Sequence, residues 1–187
     1  MKSLTAHEVS FLVLGGYAVA LHGYPRATAD FDPWVDSSAI NADRVLAALR
    51  DFGFTPTEEA AQALWTPGKV LRMGHPPTRT ELLTAPAGVE FGPCRARAVT
   101  RDLFGVPVPV IGLDDLIANK CAAGSPKDLI DAAELERIRS RLGRSIRRGH
   151  RFLRRPCSIS LESTALAGRR RASRAFKGSR GDPARSR

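Results

Sequence analysis

The chain has 187 residues, enough for one domain with a real core or for one domain and a tail. A hydrophobic share of 43% is ordinary for a soluble globular protein, no apolar run approaches the roughly 18 residues that span a bilayer, and the start MKSLTAHEVS lacks the long apolar core of a signal peptide. These features exclude a membrane protein and predict a cytoplasmic one. Three widely spaced cysteines, Cys94, Cys121 and Cys157, contain no CxxC pair, so they predict free thiols and indicate neither a disulfide framework nor a zinc site. The net charge of +10 belongs to one end of the chain: residues 141–187 carry 15 Lys or Arg against 2 acids, leaving 14 basic against 17 acidic residues in 1–140.

Residues 1–9 suit a short helix. The apolar run at 11–14 has the character of a buried strand and stops at Gly15 and Gly16, where the absence of a side chain permits a tight turn and close approach by another molecule. A helix predicted over 17–22 would aim its first amides at that space, where an anion such as a triphosphate could sit. After a turn at 23–25, a second strand over 29–35 carries Asp30 and Asp32. Side chains two apart on a strand share a face, so these carboxylates stand side by side while Phe31 points into a core. Adjacent carboxylates repel unless a cation lies between them, and an all-oxygen donor set suits Mg²⁺. Pro33 offers no N–H to a sheet and predicts an edge position or a bulge.

Ser37 and Ser38 are good helix caps, and Ile40, Val45, Leu46 and Leu49 recur at helical spacing up to Gly53. A shorter helix follows over 58–64, then strands over 69–73 and 79–84 joined by a turn at 74–77, with Glu81 inside the second. Residues 95–100 and 106–110 read as further strands around Gly105. A helix over 112–123 starts with Asp114 and Asp115, where the helix dipole favours negative charge, and stops at Gly124. Ser125, Pro126 and Asp128 then begin another helix reaching about residue 141. Beyond it, residues 146–187 are rich in Arg, Ser and Gly and hold too few large apolar residues to offset their ordering entropy. They read as a mostly disordered tail with a short helix near 157–166. That tail is either an arm for nucleic-acid phosphates or a run without a role past the natural end of a shorter domain.

The double glycine, a thirteen-residue spacer and Asp30-Phe31-Asp32 resemble the signature of the nucleotidyltransferase superfamily that includes DNA polymerase beta. His22, Gly23, Arg26 and Thr28 narrow the likeness to the form GGxAxxxHGxxRxTxDxD, which is similar to bacterial nucleotidyltransferases of type IV toxin-antitoxin and abortive-infection systems. The string Arg79-Thr80-Glu81-Leu82-Leu83-Thr84 resembles a family segment of the form RIDLLT, with glutamate in place of the usual aspartate. Residues 114–135 resemble the IxxKxxAGRxKDxxD string that closes the catalytic domain, with Ser125 where an arginine is common. The likeness covers roughly residues 9–140.

The resemblance implies a single α/β domain over residues 1–145, a small, mixed, mostly antiparallel sheet with helices on one side. It implies an Mg²⁺-dependent transfer of a nucleoside monophosphate from an NTP. Asp30, Asp32 and Glu81 would be the catalytic and metal-holding carboxylates. Gly15, Gly16, Arg26, Lys120 and Lys127 would meet the nucleotide, Arg26 through a phosphate or by pairing with Asp32, with Asp128 and Asp131 positioning the lysines. The acceptor in such systems is a hydroxyl of RNA, such as a transfer RNA end, or of a partner toxin or antitoxin protein. The alternative is a degenerate relative that binds nucleotide or a partner without catalysis. His22 reads as a loop-fixing histidine, and Tyr17, Trp34 and Trp65 as core or rim residues.

Overall fold

The structure, a computed structural model, describes residues 1–74 and 79–146. The first half builds α1 (Lys2–Ala6), β1 (Phe11–Leu14), α2 (Gly15–Leu21), β2 (Asp30–Val35), α3 (Ala39–Asp51) and α4 (Glu58–Trp65). The second half adds β3 (Val70–Met73), β4 (Arg79–Leu83), α5 (Phe91–Ala96), β5 (Val99–Leu103), β6 (Val106–Val110), α6 (Leu113–Ala123) and α7 (Pro126–Ile146). The strands form a single six-stranded mixed sheet in the order β3-β4-β2-β1-β6-β5. Pairs β1–β2, β3–β4 and β5–β6 are antiparallel; β1–β6 and β2–β4 are parallel. The fold is thus α+β, with packed helices around a mixed sheet. No helix among the described residues is long and apolar enough to cross a membrane.

Helices cover both faces of the sheet, not one as the resemblance implies. Phe31, Thr80 and Leu82 face Leu4 of α1 and Ala48 and Leu49 of α3, whereas Asp30, Asp32 and Glu81 face Asn119, Lys120 and Ala123 of α6. Strand periodicity separates the two sets: odd and even positions of β2 serve different layers. β1 is buried along its whole length because it lies at the centre between both helix layers. Leu12, Val13, Val35, Val108 and Val110 are fully enclosed there.

Pro33 does not mark an edge. β2 lies between β4 and β1, and Pro33 faces Val13 in the antiparallel register. On the β4 side the pairing holds at Asp30 and Phe31, lapses, and resumes at Trp34, so the lapse contains the residue without an N–H. Ile40 is 71% exposed and takes no part in packing α3. Its neighbour Asn41 turns inward instead, accepting from the Ser10 amide at 2.7 Å and donating to the carbonyls of Ser10 and Asp36. Residues 95–100 are not a strand throughout; α5 occupies 91–96 and the strand begins at Val99. Around Gly105 the β5–β6 hairpin turns with positive φ at Phe104 and Gly105, the pattern of a two-residue hairpin loop matched to sheet twist.

α6 ends at Gly124, whose φ of +68° gives the left-handed cap that glycine adopts without strain. α7 starts at once: the Ser125 hydroxyl accepts from the Asp128 amide at 3.2 Å and donates to the Asp128 carboxylate at 2.6 Å. It runs to Ile146, five residues past the expected end. The tail and its expected helix near 157–166 lie outside the described residues, as do His75 and most of the predicted turn before β4.

Candidate functional site

Asp30 and Asp32 share the face of β2 that looks toward α6, and parallel pairing with β4 sets Arg79 beside Asp30 and Phe31 beside Thr80. Continuing that register by one residue brings Glu81 beside Asp32. The antiparallel β3–β4 pairing then sets Arg72 opposite Glu81. One sheet face therefore carries three carboxylates and two guanidiniums. Its electrostatics follow from strand register alone.

These charges are closely coupled. Arg79 grips Asp30 through two hydrogen bonds, Nε to Oδ1 at 3.1 Å and a terminal nitrogen to Oδ2 at 3.0 Å. Its Nε also lies 3.1 Å from Glu81 Oε1, and Arg72 Nε reaches that same oxygen at 3.0 Å. Neither arginine pairs with Asp32. Burial pushes the Asp32 carboxyl up, repulsion from Glu81 and Asp30 pushes it further, and the Gly16 amide and Lys120 oppose the rise.

The glycine turn packs directly onto these carboxylates. Gly15 has φ +64°, and a Cβ there would lie 1.9 Å from Asp32 Oδ2; a Cβ on Gly16 would lie 2.3 Å from Thr28 Oγ1. Helix α2 begins at Gly15, two residues ahead of its predicted start. In this structure Gly15 makes room for Asp32 and Gly16 makes room for Thr28.

A second charged cluster closes the other wall. Asp131 is 1% exposed and accepts from Arg26 through both oxygens at 2.7 Å. The buried Lys120 Nζ lies 2.6 Å from Asp128 Oδ1 and 3.3 Å from Asp131 Oδ2. Burial would raise the Asp128 carboxyl, but hydrogen bonds from Lys120 and Ser125 outweigh it and hold the group below the usual carboxylate range. Arg26, for which pairing with Asp32 was one expectation, is spent on Asp131. A fork-shaped guanidinium satisfies a buried carboxylate with two parallel bonds, and Asp131 offers that geometry.

Gly15, Asp30, Asp32, Glu81, Lys120 and Asp128 line one open cleft of about 370 Å³. Gly16, Arg26 and Lys127 are not among its walls, and Lys127 is exposed on the first turn of α7. His22 fixes the loop after α2 through a 2.7 Å hydrogen bond from Nε2 to the Ile111 carbonyl. Trp34 is core, 1% exposed and donating to the Thr84 carbonyl; Tyr17 meets Phe31 and Phe104 edge-on; Trp65 is a rim residue. Sequence reasoning missed Arg72 and Arg79 as site residues. Arg79 was findable, since it stands two before Glu81 on one strand face, but Arg72 needed the register of the β3–β4 pair.

The donor set suits a hard divalent cation, being all carboxylate oxygen. Among the described residues no group of three or more His, Cys, Asp or Glu is disposed to hold a metal ion as it stands. Two of the three carboxylates are instead bridged by Arg79, a positive group standing in where the cluster calls for a cation.

No family model matches the chain, and no curated protein matches it. Among solved structures, an antigenic nucleotidyltransferase-like protein from Paracoccidioides brasiliensis is similar over 79% of this chain and 84% of its own, at 16% identity and a TM-score of 0.47. A candidate nucleotidyltransferase from Thermotoga maritima is similar over 76% of this chain and 88% of its own, at 16% identity and a TM-score of 0.44.

Proposed function

We propose that this chain is a nucleotidyltransferase that takes an NTP with Mg²⁺ into the cleft and passes a nucleoside monophosphate to a hydroxyl of RNA or protein. The supporting observation is convergence: two carboxylates of β2, one of β4, the glycine turn after β1 and a buried lysine of α6 meet on one cleft. Asp30 and Asp32 would hold the cation, with Glu81 joining them. Bound there, Mg²⁺ would supply positive charge to the triphosphate oxygens and would acidify the attacking hydroxyl. The new bond joins the acceptor oxygen to the α-phosphorus, the bond to the β-phosphate breaks, and pyrophosphate leaves. Lys120, fixed by Asp128 and Asp131, sets an ammonium in the cleft wall for the phosphates. The motif resemblance supports an acceptor within a toxin-antitoxin pair, a transfer RNA end or a partner protein.

Calorimetric titration of each NTP with Mg²⁺ tests binding, and transfer of label from α-labelled NTP to RNA or protein tests reaction. Asp30→Ala or Asp32→Ala is expected to lower transfer by about a hundredfold or more, since the carboxylates act as a unit. Equal transfer by wild type and the double variant would overturn the catalytic role. A second reading, a non-catalytic nucleotide- or partner-binding relative, is favoured by one feature: Asp30 and Glu81 already have cationic partners in Arg79 and Arg72. Nucleotide binding without label transfer would select it.

A further inference from the structure

We propose that Arg79 is a built-in counter-cation which a divalent ion must displace, so that the cleft disfavours a bare ion and admits one arriving with a triphosphate. The inference rests on the proposed nucleotide site. Arg79 bridges Asp30 and Glu81, and Arg72 adds a second contact to the same Glu81 oxygen. Three carboxylates thus face two guanidiniums, and the oxygens that would ligate an ion are already accepting charge-assisted hydrogen bonds. A bare divalent ion would have to break the double contact at Asp30 and gain only a cluster that was nearly neutral beforehand.

A triphosphate changes that balance. It brings its own oxygens to the ion and several negative charges to the guanidinium that the ion releases. Arg79 can accept this transfer because it is 35% exposed and paired with Asp30 and Glu81 of the cleft wall, on a side chain long enough to turn from carboxylate to phosphate. Lys120 cannot play this part, being 9% exposed and held by two carboxylates. Ion and triphosphate are then coupled, each raising the affinity for the other by the same factor.

Mn²⁺ serves as the probe, followed by its paramagnetic signal or by calorimetry, alone and with inorganic tripolyphosphate or a non-hydrolysable NTP analogue. Wild type is expected to bind Mn²⁺ alone weakly and to bind it markedly better with tripolyphosphate. Arg79→Gln should bind Mn²⁺ alone about tenfold or more tighter, because charge-assisted hydrogen bonds that compete for the ligand oxygens are removed, and should lose most of the gain from tripolyphosphate. Arg72→Gln, which removes one of the two contacts to Glu81 and none to Asp30, should shift in the same direction by less and guards against a misfolded Arg79 variant; Arg79→Lys should fall between. An arginine that merely supports the fold predicts the opposite sign, weaker Mn²⁺ binding on removal, and that result overturns the inference. If wild type binds the Mn²⁺-nucleotide but Mn²⁺ alone binds both proteins equally, the inference falls and the nucleotide site stands. If no form binds Mn²⁺ or nucleotide, both fall together.

Discussion

Gly15 and Asp131 decide whether the two walls of the cleft can exist. At Gly15 a methyl group meets both a left-handed backbone and the Asp32 carboxylate at 1.9 Å. Gly15→Ala is therefore expected to destabilise the fold by about 2 to 4 kcal/mol, summing backbone strain and overpacking, read from the denaturant midpoint. A change under about 0.5 kcal/mol, the range of neutral surface substitutions, would mean that Asp32 can move aside freely. Asp131→Asn removes the charge that Arg26 and Lys120 share. Unpairing a buried ion typically costs about 3 to 5 kcal/mol, and Asp128 still serves Lys120, so the lower figure is expected. Replacing Arg26 and Asp131 together by apolar residues should be much less harmful than Asp131→Asn, and equal damage would show that burial of charge is not the cause. Both positions show where sequence reasoning succeeds and stops. The glycine pair and Asp128 announce themselves by local chemistry, whereas the partner of Arg26 lies 105 residues away in α7 and no local signal names it.

Elements with strong local signals kept their predicted places. β1 and β6 have the expected bounds, and α6 ends at the glycine that had to end it. α5 was missed because Phe91-Gly92-Pro93 is weak helix sequence and β-branched residues follow it, so six residues of helix hold by burying Cys94 and setting Phe91 against Trp34. Pro33 misled for a related reason: its missing donor costs little where pairing to β4 already lapses. At the joint between α2 and β6, His22 supplies a pH response. Burial lowers its pKa most, Arg101 lowers it further, and the Ile111 carbonyl partly restores it. A folded-state pKa below the unfolded one means stability is present above about pH 6.5 and is lost as pH falls through the folded value. Thermal melts of wild type should drop more between about pH 7.5 and pH 5 than those of His22→Asn. Parallel pH slopes for the two would remove His22 as the cause.

For the whole molecule, the sequence separates two electrostatic bodies. Residues 147–187 hold 13 basic residues against 2 acids, so a chain ending at Ile146 changes from a net charge of +10 to 16 basic against 17 acidic residues. That shorter chain is expected to unfold cooperatively with an unchanged midpoint, because the described core lies within residues 4–135. It should retain nucleotide binding, and a loss of salt-sensitive RNA binding would select the nucleic-acid arm over a tail without a role; a lowered melting midpoint would show that the tail supports the core. The parallel pairing of β2 with β4 has a further consequence for a chain under synthesis. Asp30 and Arg79 meet across 49 residues, with α3, α4 and β3 between them. Such a non-local contact forms only after the intervening chain has been made and looped back. A nascent chain that has emerged through β3 carries two bare aspartates and no cleft. The sheet face gains its third carboxylate only once the ribosome has released β4, and the cleft its opposite wall only after α6 and the first turn of α7 have followed.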